Sequence, residues 1–388
     1  MPEVYIISGC RTPIGSFMGQ FEKYSAVDLG TIAITETIRR SSLSPENVEQ
    51  VVMGHVLTTG QGQNPARQAA VGAKIPYATP AYTINMLCGS GLKSVFLAYQ
   101  AIKNEDYNII VAGGQESMTR SQHCIYTRSA KMGNLSLADT LLLDGLTDAF
   151  HNVHMGNTTE HLVKKYGITR EAQDAYAALS QNKTEEAISK GYFKEEIIAV
   201  PDKKLGSIEK DEYPKFGTTA AKLATLRPCF EPGTGSVTAG NASGLNDGAA
   251  AVLLASDGAV KEKNLKPLAR ILGFAEVGVE PLCMGTGPIE SVRKVLAKVG
   301  WSKDDVDLYE LNEAFAAQSI IVVDELGVDA SKVNVTGGAI ALGHPIGCSG
   351  TRVLVTLIYN LRRLGKKKGV AALCIGGGMG IATAIELC

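Results

Sequence analysis

Long apolar runs are missing from this sequence of 388 residues: none reaches 18 residues, so no transmembrane helix is expected. An excess of one charge is missing too. Lys and Arg number 38 against 39 Asp and Glu, a net charge of −1. Bulk electrostatics therefore give no reason to expect nucleic acid or a membrane surface as partner, and an anionic ligand must be held by local groups. The eight cysteines (10, 88, 124, 229, 283, 348, 374 and 388) include no C-x-x-C pair. The six histidines form no H-E-x-x-H, so no metal site is expected. Any one cysteine is by default a small buried hydrophobe. There is no G-x-x-x-x-G-K-[ST]. The run after Cys374 fails G-x-G-x-x-G, because its last glycine would fall on Ile381 and the next segment reads as a strand. The start, "EVYIISGCRTPIG", lacks both an Arg/Ser-rich leader and an apolar signal, and the end, "IATAIELC", is no peroxisomal tripeptide. The expected location is cytoplasmic.

What is present is a globular composition, 45% apolar and 20% charged, which excludes wholesale disorder, and a chain long enough for two domains. It echoes itself once. "SPENVEQVVMGHV" (44–56) matches "SKDDVDLYELNEA" (302–314) in a serine cap, an acidic first turn, a valine and a strand-like run. "CGSG" (88–91) and "GCSGTR" (347–352) each open a helix, and each helix leads to a strand ending in glycines. Ser44 lies 44 positions before Cys88, and Ser302 lies 46 before Cys348. The fold class is α/β: two duplicated βαβαβ halves with buried parallel strands, forming a layered αβαβα core. The halves are expected at 1–266 and 267–388, with a more polar inserted loop domain at about 118–243. Amphipathic helices are predicted there at roughly 156–165 and 169–190, the second capped by Thr169.

Cys88 falls between an apolar run (81–87) and the helical pattern Leu92, Val95, Phe96, Tyr99, Ile102. A helix N-terminus lowers a thiol pKa, and Gly89 and Gly91 leave the sulfur open, so a reactive thiolate is expected; the alternative is a tight structural turn. Asn312 and Glu313 end a strand in "YELNEAFAAQ", where Asn312 would otherwise serve as a helix cap. His344 sits in a glycine-rich loop before Pro345 as a candidate general base or oxyanion donor.

Together, Cys88, Asn312-Glu313-Ala314-Phe315, Gly343-His344-Pro345 and Cys374 before Gly376-Gly377-Gly378 resemble the thiolase family. The likeness runs from Arg11-Thr12-Pro13 through "GNASGLNDGAA" (240–250) to the last strand. It implies a reversible, ping-pong Claisen condensation of two acetyl-CoA to acetoacetyl-CoA and CoA. Cys88 would carry the acetyl group, His344 would take its proton and Cys374 would be the acid/base. His344 with a water on Asn312 would form one oxyanion hole, and the N–H groups of Cys88 and Gly376 the other. Ketoacyl synthases, which resemble this fold, lose CO2 from malonyl groups and need no thiol base, so Cys374 favours the thiolases. No permanently bound cofactor is implied; coenzyme A and acetyl-CoA are substrates.

By the same resemblance Lys215 and Thr218 would meet the nucleotide, where some relatives have arginine and serine. His154, Met155, Ser243, Gly244, Ala314 and Phe315 would line the pantetheine channel. Met284, before Gly285, resembles the short-chain biosynthetic members; the potassium-activated mitochondrial ones carry Phe-Pro there. A homotetramer built as a dimer of dimers is implied, with 121–142 resembling the tetramerisation loop. The competing readings are a degradative 3-ketoacyl-CoA thiolase of broader chain length and a non-catalytic lipid-binding or scaffold relative. A redox-sensing role for Cys88 is weaker than either.

Overall fold

The computed structural model describes residues 1–128, 131–204 and 206–388, so Ser129 and Ala130 of the expected tetramerisation segment lie outside it. The first half runs β1 (Val4–Arg11), α1 (Ala26–Ser41), β2 (Gln50–Gly54), α2 (Pro65–Gly72), β3 (Ala81–Ile84), α3 (Ser90–Lys103) and β4 (Ile109–Ser117). Helices α4 (Met155–Tyr166) and α5 (Arg170–Ser189) follow, before the chain returns in β5 (Asn246–Ser256). The second half repeats the plan with β6 (Ala269–Gly278), α6 (Gly287–Val299), β7 (Leu308–Leu311), α7 (Ala316–Leu326), α8 (Ile346–Leu364), β8 (Lys368–Ile375) and β9 (Met379–Leu387). The counterpart of β3 shrinks to one parallel bridge, Tyr309 to Val333.

The sheet order is β7-β8-β9-β6-β1-β5-β4-β2-β3. The two halves are not separate sheets. They join where β1 meets β6 over just two antiparallel pairs, Tyr5 with Arg270 and Ile6 with Ala269. The expectation of parallel strands holds only for β3-β2-β4 and for β7-β8. The last strand of each half, β5 or β9, runs antiparallel to both neighbours. A strand flanked by sheet on both edges is apolar whichever way it runs, so its sequence does not reveal its direction.

Burial explains the layers. Leu92, Val95, Ala98 and Ile102 of α3 and Val353, Leu354, Leu357, Ile358 and Leu361 of α8 pack between the two sheet halves. Ala33, Ile34 and Ala69 of α1 and α2 cover one outer face, and Val292, Val295, Ile321 and Val322 of α6 and α7 the other. The central helices cross at their first turns through glycine. A Cβ on Gly91 would stand 2.8 Å from the Thr351 nitrogen, and one on Gly350 would stand 2.2 Å from the Leu92 nitrogen. Only bare backbone permits that approach, which brings the loops before α3 and α8 together. The two insertion helices form close to the predicted spans, and Thr169 caps α5 by accepting from the Ala172 N–H.

Arg11 ties β1 to the insertion. Its guanidinium reaches Glu196 at 2.6 Å and Asp211 at 2.7 Å, with all three side chains buried. Arg11→Ala would leave two buried carboxylates unpaired. We expect it to cost about 3–5 kcal/mol, read as an early chemical-denaturation midpoint; an unchanged midpoint would refute this account of the tie.

Candidate active site

A cleft of about 350 Å³ opens between the insertion and the core, walled by residues from both halves. Cys88 reaches it from the turn between β3 and α3. That turn is held by Ser90, whose hydroxyl accepts from the Met86 N–H at 2.8 Å and donates to the Leu87 carbonyl at 2.7 Å. Leu87 pays for the turn with a positive φ of 47°. Cys374 and Gly376 enter from the end of β8, and His344 from the loop before α8.

His344 is held at three points. Its N–H donates to Asn246 Oδ1 at 2.9 Å, its Nδ1 lies 2.5 Å from Ser349 Oγ, and its Nε2 faces Asn312 Nδ2 at 3.5 Å. Gly343 before it has φ 106°, with the Asn246 amide filling the space a Cβ would take. Below this loop, buried Glu116 accepts from the N–H groups of Val56, Leu57 and Gly347, tying β2's exit to the start of α8. Burial raises the Glu116 carboxyl to about 7 against the pull of those three donors.

The sulfur of Cys88 departs from expectation. Burial pushes its thiol up to about 11, while the backbone N–H groups of Gly376 and of Cys88 itself pull it down. The expected low-pKa thiolate is therefore corrected. Helix α3 begins only at Ser90, so its first turn lies past the sulfur, and desolvation outweighs the N–H groups that reach it. Burial raises the Cys374 thiol further, with nearby Cys88 adding to the rise. Burial first, and Arg352 second, press His344 down to about 3. Burial thus favours the neutral form of both thiols and of the imidazole, so charge is made by proton transfer within the site.

The cleft brings together Cys88, Cys374, Gly376, His344, His154, Met155, Ser243, Gly244, Met284, Ala314 and Phe315. Asn312, almost wholly buried, touches it only through His344 and does not cap α7, whose cap position is Phe315. His154 caps α4 by accepting from the Gly156 N–H and stacks on Phe230 at 4.7 Å. Ser243 donates its N–H to the Ala314 carbonyl, joining two wall segments. Lys215 and Thr218 are not in the wall. Lys215 is exposed, its ammonium 5.4 Å above the Tyr213 ring, and the Thr218 hydroxyl donates to the Lys215 carbonyl. Tyr213, two residues before Lys215, does line the cleft.

Sequence reasoning missed Tyr213, Phe230, Met118, Ile346 and the π-helical turn Leu141–Leu146. The signal available in that turn was three consecutive leucines in a polar insertion. The wall has two sides. Met155, Met284, Ala314 and Phe315 cluster with Cys374, whereas Met118, Leu146 and Ile346, backed by buried Val56 and Leu57, cluster around Cys88. Among the described residues no group of three or more His, Cys, Asp or Glu could hold a metal ion, and no helix is long and apolar enough to cross a membrane.

Comparison with known proteins adds the following. Residues 4–258 match the thiolase N-terminal domain and residues 265–387 the thiolase C-terminal domain. The chain is 51% identical over 388 residues to the cytosolic acetyl-CoA acetyltransferase of Mus musculus, covering 99% of this chain and 98% of that one. It is 50% identical over 392 residues to the acetyl-CoA acetyltransferase of Cupriavidus necator, covering both chains completely. The crystal structure of the Bacillus anthracis acetyl-CoA acetyltransferase superposes with a TM-score of 0.97 at 42% identity, over 100% of this chain and 99% of that one.

Proposed function

The chain belongs to the thiolase family, and on that premise we propose that it is an acetyl-CoA C-acetyltransferase, condensing two acetyl-CoA to acetoacetyl-CoA and CoA. The observation that carries the reading is the meeting of Cys88 with Cys374 and His344, drawn from both halves, in one apolar cleft. His344 takes the Cys88 proton as the sulfur attacks the acetyl thioester. Coenzyme A leaves as its thiolate and takes the proton of Cys374. The Cys374 thiolate then removes an α-proton from the second acetyl-CoA, and the resulting carbanion attacks the carbonyl of acetyl-Cys88. Cys88 departs and recovers its proton from His344, which closes the cycle.

Burial suits Cys374 to this step, because a thiolate made from a weakly acidic thiol is a strong base for a weakly acidic C–H. The N–H groups of Cys88 and Gly376, which already reach the sulfur, support one oxyanion site; Asn312 and His344 support the other. We assign the Met118, Leu146 and Ile346 side of the wall to the acetyl group on Cys88. The Met155, Met284, Ala314 and Phe315 side, with His154, Ser243 and Gly244, takes the pantetheine arm. Lys215 and Thr218, outside the wall, are placed with the nucleotide.

The insertion, about 118–243 within a first half of 1–266, is the CoA-binding part, and 267–388 is the second half. Self-association as a homotetramer is supported by exposed Tyr126, Met132, Leu135 and Leu137 in 121–142, and by β3, which pairs on one edge only. The cytosolic name of the mouse relative supports a cytoplasmic location. No resident cofactor enters the scheme.

The test is CoA-dependent thiolysis of acetoacetyl-CoA beside a 3-ketoacyl-CoA of about eight or more carbons, a difference set by pocket size. Fast cleavage of the short substrate alone is expected. Equal cleavage of the long one would replace this reading with a degradative thiolase, and cleavage of neither would leave a non-catalytic binding protein.

A further inference from the structure

The imidazole of His344 can accept a proton on only one nitrogen at a time, and the bond at the other nitrogen decides which. At Nδ1 stands the hydroxyl of Ser349, 2.5 Å away and completely buried on the first turn of α8. That hydroxyl lies 2.9 Å from the Pro345 carbonyl, a back-bond to the residue four before it. At Nε2 stands the amide nitrogen of Asn312, a donor. The polar groups make a directed chain: Asn312 Nδ2–H to Nε2, Nδ1–H to Ser349 Oγ, and Oγ–H to the Pro345 oxygen. Read in that direction, every proton has an acceptor and Nε2 is bare.

We infer that Ser349 is a positioning residue of the reaction, its hydroxyl fixing His344 as the Nδ1–H tautomer so that Nε2 is the nitrogen that takes the Cys88 proton. Ser349 does not line the cleft, so it touches neither substrate nor reacting sulfur. Its effect passes through the imidazole. The competing state lies close at hand, because the side-chain oxygen of Asn312 is buried and has no hydrogen-bond partner. Without the Ser349 hydroxyl, a turned Asn312 amide would accept from an Nε2–H and hold the ring in the form that cannot act as base. Asn246 on the His344 N–H anchors the backbone but leaves both ring nitrogens free to exchange roles, so it does not replace Ser349.

This inference rests on the acetyltransferase reading for its kinetic consequence but not for its structural one. The structural test is 15N NMR of the wild-type chain with ring-labelled histidine and His344→Gln as assignment control. A protonated Nδ1 and a bare Nε2 at His344 are expected, and a protonated Nε2 would overturn the inference whatever the enzyme turns over. The kinetic test compares Ser349→Ala and Ser349→Thr with wild type in acetoacetyl-CoA thiolysis. For Ser349→Ala we expect kcat to fall about 10- to 100-fold with KM within about twofold, as for loss of an interaction used in the transition state. Ser349→Thr, which keeps the hydroxyl, should recover most of that loss. An Ala variant with wild-type kcat would overturn the inference, as would a folded Thr variant as slow as Ala. Should Ser349→Ala fail to fold, the wild-type spectrum still decides. An inactive wild type with the expected spectrum would refute the acetyltransferase reading and leave the tautomer assignment standing.

Discussion

Cys88→Ala lowers kcat for acetoacetyl-CoA thiolysis by roughly 10⁴-fold or more, with the thermal midpoint unchanged within a few degrees: this is the largest effect we expect from a single substitution. The reason is positional. The Cys88 sulfur is met by the N–H groups of Cys88 and Gly376, so the carbonyl it attacks finds donors for its developing charge there. Cys374 lines the same cleft but is assigned to the α-proton of the second substrate, packed beside Met155 and Phe315, rather than to the thioester carbonyl that Cys88 attacks. Stability should survive, since Cys88 is only partly buried and its turn is held by Ser90 and Asn85 through the backbone. Steady-state thiolysis with a thermal melt as control decides the matter. A variant retaining a tenth of wild-type turnover would mean that the acyl group travels without Cys88.

Cys374→Ala separates the two half-reactions. Condensation should fall about 10³-fold or more, in the range expected for loss of a general base facing a weak carbon acid. Acetylation of Cys88 by radiolabelled acetyl-CoA should slow by no more than about tenfold, because a CoA thiolate departs without needing a proton. The labelled peptide should carry its acetyl group on Cys88, and the label should persist, since nothing removes an α-proton from the second substrate. Equal loss of both half-reactions would show that CoA cannot depart without the Cys374 proton, contrary to its leaving as thiolate, and equal retention would remove Cys374 from the mechanism.

These expectations also mark what the sequence could disclose. The repeat was legible because the serine cap, the strand and the helix-opening glycines recur in the same order in both halves. The meeting of Cys88, His344 and Cys374 was implied by the resemblance to the thiolases; their positions, each at the end of a strand or near the start of a helix, left a structural turn as the alternative for Cys88. Depth was not legible. "CGSG" announces bare backbone and a helix start, but not that apolar neighbours such as Leu57 and Met118 would desolvate the sulfur more than N–H groups relieve it. Strand direction was hidden in β5 and β9 because both of their edges are paired. Leu141 and Leu142 belong to the expected tetramerisation segment 121–142, and residues 143–146 to no predicted element; together they form a π-helical turn against the cleft. Lys215 was chosen because the thiolase likeness puts the nucleotide near "YPKFGTT"; it stands at the surface outside the wall, which its neighbour Tyr213 lines.

The glycine crossing of α3 and α8 has a consequence for the order of events when the chain is made. Gly91 and Gly350 lie far apart in the sequence, as do β1 and its partner strands at 246–256 and 269–278. Local helices and the β2-β3-β4 sheet can form early, but closing so long a loop is slow and comes after they exist. A nascent chain therefore carries Cys88 as an ordinary thiol, with neither His344 beside it nor Gly376 over it, until the final strands have emerged. Its reactivity is a late property of the whole chain, acquired when its two halves meet.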